Sequence, residues 1–343
     1  MAKTNSITEA PQHVGYDRAA RKAFFTDTSI CIGCKACEVA CKEWNRNPQD
    51  GYELSGNSYD NTGSLGADTW RHVAFIEQSE EQITKAREEG AKLVSLGMPS
   101  VGAGGNAETT QPTQPAQPAQ SVTPGDTPDF RWLMSSDVCK HCTNAGCLDV
   151  CPTGALFRTE HGTVVVQDDV CNGCGTCVAG CPFGVIERRE DGGVSKRDDR
   201  TKRGADFTVG EVAPIKNIGV AQKCTMCFDR QAIGEGPACA KTCPTTSIKY
   251  GSYDEMLATA QARVKELHAQ GMTEARLYGA NSEDGVGGTG SIFLLLDAPE
   301  VYGLPPDPQV PTANLPTMAK RAVFAAAGLI GAVAGAFVIG GRS

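Results

Sequence analysis

Residues 171–182 constrain this chain more than any other stretch. Cys171, Cys174 and Cys177 recur at every third residue, Cys181 follows after a gap of three, and Pro182 comes next. Three thiolates at that interval converge on three corners of one iron-sulfur cube. The backbone must wrap such a cube tightly, and the small residues Gly173 and Gly175 let it close in. The fourth cysteine then opens a helix pointing away, where proline fits because its missing N–H would be unpaired in the first turn.

The pattern occurs four times and uses all sixteen cysteines. Cys31, Cys34, Cys37 and Cys41 keep the same spacing; Cys139, Cys142, Cys147 and Cys151 widen the second gap to four residues, and Cys224, Cys227, Cys239 and Cys243 widen it to eleven. Two other readings fit less well. Disulfide frameworks are features of short secreted chains, and this one has 343 residues with no apolar leader among residues 1–22. Zinc sites pair two Cys-x2-4-Cys knuckles, whereas a third cysteine at the same short interval, as at Cys37 and Cys177, marks a cluster. The cofactors expected are therefore four 4Fe-4S clusters.

A length of 343 residues allows two or three compact units. Aromatics make up only 6% and glycine accounts for 39 residues, so a large aliphatic core is not expected and the clusters would act as cross-links. The formal charge of -8 offers no basic face, which argues against nucleic acid as a partner.

Along the chain, residues 1–22 read as a loose lead-in and Ala23-Phe24-Phe25-Thr26-Asp27 as a strand entering the first cysteine loop. Trp44 reads as an indole packed beside a cluster, and His72 and His141 as structural neighbours rather than ligands. A strand is expected around Arg71 to Ile76 and a brief charged helix over Gln82 to Gly90. Residues 97–128, with Gln111-Pro112, Gln114-Pro115 and Gln117-Pro118, cannot pack a core and read as an extended or disordered insertion. Phe130 to Met134 and Gly162 to Val166 are strand candidates. Met256, Leu257, Ala260, Val264 and Leu267 recur at near-helical spacing ahead of Gly271, and Ser291 to Leu296 reads as a buried strand. The glycine run Gly285 to Gly290 lacks the strand, helix and lysine of a phosphate loop.

The short interval between Cys151 and Cys171 joins the second and third groups into one module, which leaves the first and fourth to form another around it. The expected fold is α+β: two interleaved bacterial two-cluster ferredoxin-like modules and a C-terminal transmembrane helix. The outer module takes residues 23–78 and 205–300, a low-complexity insertion 79–129, the inner module 130–204, a linker 301–319 and the membrane helix 320–343. In two-cluster ferredoxins the fourth cysteine of each run ligates the other cluster. That rule assigns Cys31, Cys34, Cys37 and Cys243 to one cluster, and Cys224, Cys227, Cys239 and Cys41 to its partner. In the inner module it assigns Cys139, Cys142, Cys147 and Cys181 to one, and Cys171, Cys174, Cys177 and Cys151 to the other.

Ala322 to Gly341 is uncharged over twenty residues and is bounded by Lys320-Arg321 and Arg342. At about 1.5 Å per residue such a helix covers roughly 30 Å, the thickness of a bilayer core. Gly331 and Gly335, with Ala327 a turn earlier, form a small-residue stripe suited to helix packing in lipid; the competing reading is an alanine-rich helix docked on a soluble partner.

The residues from Asp27 to Cys37, with Glu43-Trp44-Asn45, Cys181-Pro182-Phe183 and Lys223-Cys224-Thr225-Met226-Cys227, resemble the four-cluster iron-sulfur subunits of molybdenum or tungsten oxidoreductases. Gly285 to Thr289, Tyr302-Gly303-Leu304-Pro305 and the terminal apolar helix are similar to the beta subunit of membrane-bound respiratory formate dehydrogenase. This resemblance implies a non-catalytic subunit that relays electrons from a molybdopterin-type, formate-oxidising alpha subunit to a cytochrome b gamma subunit and quinone. It places the Cys31 cluster nearest the catalytic subunit, the inner module nearest the membrane, and the soluble part on the outer, periplasmic face. Lys320 and Arg321 ahead of the span favour the cytoplasmic face instead. The same cysteines would also serve the iron-sulfur subunit of a membrane hydrogenase or of another molybdoenzyme reductase; a structural zinc protein and a soluble carrier are the more distant alternatives.

Overall fold

The computed structural model describes residues 20–48, 62–96, 128–189 and 217–340. In chain order the elements are β1 (Lys22–Asp27), α1 (Ala36–Asn45), β2 (Arg71–Ser79), α2 (Glu80–Ser95), β3 (Phe130–Val138), α3 (Gly146–Asp149), β4 (Leu156–Arg158), β5 (Val164–Val166), α4 (Thr176–Ala179), β6 (Glu187–Arg188) and β7 (Ala221–Gln222). They continue with α5 (Phe228–Ala232), α6 (Ala238–Thr242), β8 (Ile248–Ser252), α7 (Tyr253–Ala269), β9 (Arg276–Tyr278), β10 (Ser291–Leu295) and α8 (Leu315–Gly340).

A four-stranded sheet in the order β8-β1-β10-β9 forms the base. β1 runs parallel to β10, with Phe24 opposite Ser291, and antiparallel to β8, with Phe24 opposite Tyr250. β10 is buried at every position because both its faces and both its edges are covered. α7 lies across this sheet through Met256, Ala260, Val264 and Leu267, all buried, and ends where Gly271 turns out at φ 88°. Burying side chains of that kind contributes roughly 1.5–3 kcal/mol each for the larger ones. The other strands form ladders of two: β2 with β3 over nine residue pairs, β4 with β5, and β6 with β7.

The cysteine groups pair across the sequence. α1 packs on α6, joining the first group to the fourth, and α3 packs on α4, joining the second to the third. One apolar core includes Cys37, Cys139, Cys224 and Cys239 with the sheet residues; a second includes Cys177 among Leu148, Leu156, Val164 and Ile186, with Cys142, Cys147, Cys151, Cys171 and Cys181 packed against it.

Three expectations change. First, the charged helix expected over Gln82 to Gly90 extends over Glu80–Ser95, starting from a capping box between Ser79 and Gln82. It is seated on the fold: Ile83 and Ala86 are buried, and Arg87 and Arg131 approach the fully buried Glu274 at 3.7 and 2.8 Å. Low-complexity sequence therefore cannot begin at residue 79, and the Gln-Pro repeats fall outside the described residues. Second, Trp44 is half-exposed; its ring lies 4.3 Å beneath the Arg230 guanidinium and its Nε1 donates to Asp229 Oδ2 at 2.8 Å. A cation–π pair with one polar edge suits a wet surface, whereas a packed indole would not.

Third, the terminal apolar run forms helix α8, but among the described residues no helix is long and apolar enough to cross a membrane. Lys320 and Arg321 occupy its early turns. The expected transmembrane helix is thus reduced to an exposed apolar helix.

Gly90 tests the seating of α2. A Cβ there would stand 2.4 Å from the Thr273 carbonyl oxygen. Gly90→Ala gains about 1 kcal/mol of helix propensity, yet the clash is expected to leave the protein about 1–3 kcal/mol less stable. The readout is the urea midpoint of the cluster-loaded protein; a midpoint that rises shows that α2 is not held against Thr273.

Candidate metal centres

Each cysteine loop is shaped by its own backbone. Gly33 and Gly173 hold φ of 63° and 73°, and a Cβ at Gly33 would meet Met134 and Phe75 at 2.6 Å, while one at Gly173 would meet the Gly219 carbonyl at 2.5 Å. Only glycine lets the chain turn left-handed while pressed against a neighbour. The third cysteine of each group lies in the short helix that follows: Cys37 in α1, Cys147 in α3, Cys177 in α4 and Cys239 in α6.

The structure brings the cysteines together in crossed sets. One void is lined by Cys31, Cys34, Cys37 and Cys243, another by Cys139, Cys142, Cys147 and Cys181. Cys41 has the thiols of Cys224, Cys239 and Cys227 as its nearest like charges, and Cys177 has those of Cys171, Cys151 and Cys174. Among the described residues no three His, Cys, Asp or Glu side chains converge closely enough to clasp a single ion. Sulfurs spread around a void suit a polynuclear group better than a zinc ion with bonds of about 2.3 Å.

The electrostatics lead to the same donor chemistry. Burial pushes Cys37 up to about 11, with Arg71 and Ser136 pulling it back, and pushes Cys227 up to about 11 and Cys147 to about 12. Cys41, Cys142 and Cys224 are driven up by burial and by the cysteines around them. Thiols so placed ionise only against a cation in their midst. Cys174 differs: the Thr176 hydroxyl, 3.2 Å away, lowers it at the surface. At Cys151 slight burial is outweighed by the N–H groups of Leu156, Thr153 and Ala155, and the net shift is also downward. All other polar contacts to sulfur are of the kind that tunes bound clusters: Ser136 Oγ to Cys37 at 3.2 Å, the Met226 N–H to Cys224 at 3.2 Å and Asn45 Nδ2 to Cys41 at 3.5 Å are the shortest in the outer sets.

Neighbouring sets form a line. Cys37 feels Cys239, Cys224 feels Cys139, and Cys147 feels Cys177. The order is therefore the Cys31 set, the Cys41 set, the Cys139 set and the Cys171 set. Cys34 and Cys174 are the two exposed cysteines and they belong to the two ends of that line, while Cys41, Cys224, Cys227 and Cys239 are all buried.

His141 is fully buried beside the Cys139 set and its Nδ1 accepts the Val164 N–H at 3.3 Å. Burial, with Lys223, Arg158 and Arg21 nearby, holds it neutral. His72 Nδ1 lies 3.0 Å from the Thr62 hydroxyl. Two features were not visible in the sequence. The glycine run is a strap over the second cysteine group: Thr143 N–H donates to Gly288 O at 3.0 Å, Asn144 N–H to Val286 O at 2.8 Å, and Gly290 N–H to His141 O at 3.2 Å. Buried cations, Arg71, Lys140 and Lys223, stand beside the sets. Only their burial reveals them; on paper they are ordinary polar residues.

A Cβ at Gly287 would meet Asn144 Nδ2 at 2.8 Å, and the residue sits at φ 70°. Gly287→Ala is expected to loosen the strap and cost the purified protein the iron of one cluster in four, measured by iron and acid-labile sulfide content. Full iron content in a folded variant removes the strap from the site.

Comparison with known proteins agrees with this chemistry. Two family models described as a 4Fe-4S dicluster domain match, one over residues 30–155 and the other over 130–206 and 211–253. The formate dehydrogenase iron-sulfur subunit of Haemophilus influenzae is 34% identical over 90% of this chain and 76% of its own length. The nitrate-inducible formate dehydrogenase iron-sulfur subunit of Escherichia coli is 34% identical over 97% of this chain and 88% of its own length. The thiosulfate reductase electron transfer subunit of Salmonella typhi is more distant, at 29% over 71% of this chain. Sixteen cysteines in four groups, with two dicluster matches, make the cofactors four 4Fe-4S clusters. With that cofactor content, and with identity to them extending over nearly its whole length, the chain belongs to the family of formate dehydrogenase iron-sulfur subunits.

Proposed function

We propose that this chain is the electron relay of a formate dehydrogenase complex, taking electrons one at a time from a molybdopterin-type catalytic subunit and passing them toward a cytochrome b subunit and quinone in the membrane. When bound, the four clusters supply the one-electron carriers; the chain itself holds no substrate-converting chemistry in this reading. The observation that carries it is the linear order of the cysteine sets, with one exposed cysteine at each end and a wholly buried set inside. A carrier that exchanges electrons with two partners needs an accessible site for each and a dry path between them.

We assign the ligands as crossed sets: Cys31, Cys34, Cys37 and Cys243; Cys41, Cys224, Cys227 and Cys239; Cys139, Cys142, Cys147 and Cys181; Cys151, Cys171, Cys174 and Cys177. The domains then follow as an outer module built from the first and fourth groups and an inner one built from the second and third, supported by the packing of α1 on α6 and of α3 on α4.

The membrane side is read from chain continuity. Thr312 Oγ1 donates to Asp149 Oδ2 at 2.7 Å, and Val310 and Pro311 press on Gly146 of α3, so α8 leaves the fold beside the inner module. Along α8 the side chains of Val323, Phe324, Leu329 and Ile330 are each at least 67% exposed among the described residues. An uncovered apolar helix is stable in lipid or against an apolar partner. We infer that it enters the bilayer next to the cytochrome subunit.

Two experiments test this. Cys243→Ser is expected to remove the same electron paramagnetic resonance signal as Cys34→Ser, and Cys41→Ser the same as Cys224→Ser, with formate-to-quinone electron transfer lost in each; signals lost together by Cys243→Ser and Cys224→Ser would show uncrossed ligation. In flotation on liposomes, the full chain is expected to rise with the vesicles and a chain cut after Thr312 to stay behind; equal behaviour of the two would remove α8 from the membrane.

A further inference from the structure

Arg71, at the start of β2, heads the largest side chains that are fully buried among the described residues. Its Nη1 donates to Ser136 Oγ at 2.9 Å and to Ser136 O at 3.2 Å, and its guanidinium lies 4.8 Å from the centre of the Phe24 ring. Nε and Nη2 have no hydrogen-bond partner among the described residues. The same Ser136 hydroxyl lies 3.2 Å from Cys37 Sγ.

A guanidinium stays charged in any protein environment. Burying one without a counter-charge costs several kcal/mol, so a stable fold supplies an anion. The strongest charges acting on Arg71 are four cysteines, Cys239, Cys37, Cys224 and Cys41, with no carboxylate among them. Cys37 belongs to the first set of the relay; the other three belong to the second. Two other buried cations beside the sets are placed differently: Lys140 pairs with Asp137 and the Val138 carbonyl, and Lys223, close to Cys147, donates to the carbonyls of Val164 and Cys224. Arg71 differs in acting on thiols of both outer sets with two of its nitrogens unpartnered among the described residues.

We propose that Arg71 is the shared counter-ion of the two outer-module clusters and raises the reduction potential of both. Reduction adds one electron, and one negative charge, to a site whose thiolates have already lost their protons; Arg71 keeps its own proton, and no bond forms or breaks. A fixed positive charge close by favours the more negative, reduced form, and net charge and hydrogen bonding to sulfur are the protein's means of setting cluster potentials. Because the guanidinium stands between the sets, its effect falls on two clusters together.

The proposal rests on the crossed ligand sets assigned above. Potentiometric titration followed by electron paramagnetic resonance, on the full chain in its purified complex, separates the two ideas: a wild type with fewer than four reducible centres speaks against the relay, before any variant is made. With four centres present, Arg71→Met is expected to lower two of the four potentials by a tenfold or greater fall in the reduced-to-oxidised ratio at fixed potential, about 59 mV for a one-electron couple, and to leave the other two in place. Arg71→Lys, which keeps the charge but loses the fork on Ser136, is expected to stay near the wild-type values. Four unmoved potentials, a shift spread over all four, or a lysine variant that falls as far as the methionine one overturns the proposal. Should Arg71→Met fail to retain its iron, Arg71→Gln takes its place; loss of iron from both neutral variants assigns Arg71 to folding and overturns the proposal equally.

Discussion

Sulfur buried in fours is the condition on which the rest of this structure depends. Cys37, Cys139, Cys177, Cys224 and Cys239 lie in the two apolar cores and Cys41 and Cys227 are buried as well; burial raises the thiols of Cys37, Cys41, Cys177, Cys224 and Cys227. As thiols they contribute little cohesion; as thiolates around iron they become cross-links. Cluster insertion and folding are therefore one process in this protein. The crossed assignment proposed above makes the linkage long-range, because a cluster bridging Cys37 to Cys243 closes well over half of the chain into one loop, and the entropy lost by the unfolded chain grows with the length of loop closed.

Crossing also explains why the fold is interleaved. α1 and α6 are short, at ten and five residues, and lie far apart in the sequence. Packed on each other, with a cysteine of each group aimed into the other's loop, they form a unit that the four-stranded sheet and α7 then cover. The family models divide the chain differently, since they match contiguous windows that overlap at the second cysteine group. Sequence windows follow chain order, whereas the modules follow packing.

The four cysteine groups were legible because the information is local: spacing fixes which thiols share a loop, while the crossed assignment of ligands is the proposal that the two-cluster rule supplies. β1, β10 and α7 were legible for the same kind of reason, since strand and helix periodicity is written in neighbouring residues. What was not legible is tertiary. The strap of Gly285 to Gly290 has no meaning until the second cysteine group is laid beneath it, and α2 looked brief because its apolar contacts, Ile83 and Ala86, are sparse in a charged segment. Trp44 misled because a tryptophan near a cysteine loop suggests packing, while the chain places Asp229 and Arg230 beside it from far along the sequence. Arg71 is the sharpest case: an arginine opening a strand reads as a solvated end, and only the closure of β2 on β3 over the outer module buries it.

Burial also decides what surrounds each site along the line. The Cys171 set has an exposed cysteine and thiols lowered by threonine hydroxyl and backbone N–H groups, so water and hydrogen bonding dominate there. The Cys41 set has no such access, and its surroundings are set by fixed groups such as Arg71 and the Met226 N–H. In a dry interior a single fixed charge acts with little screening, while at the wet end the same charge would be largely screened. Tuning by a buried cation such as Arg71 is therefore strongest where solvent cannot compete, while the exposed cysteines at the two ends stay open to water. Residues 310–312 lie against α3, so the chain itself anchors α8 beside the second cysteine group.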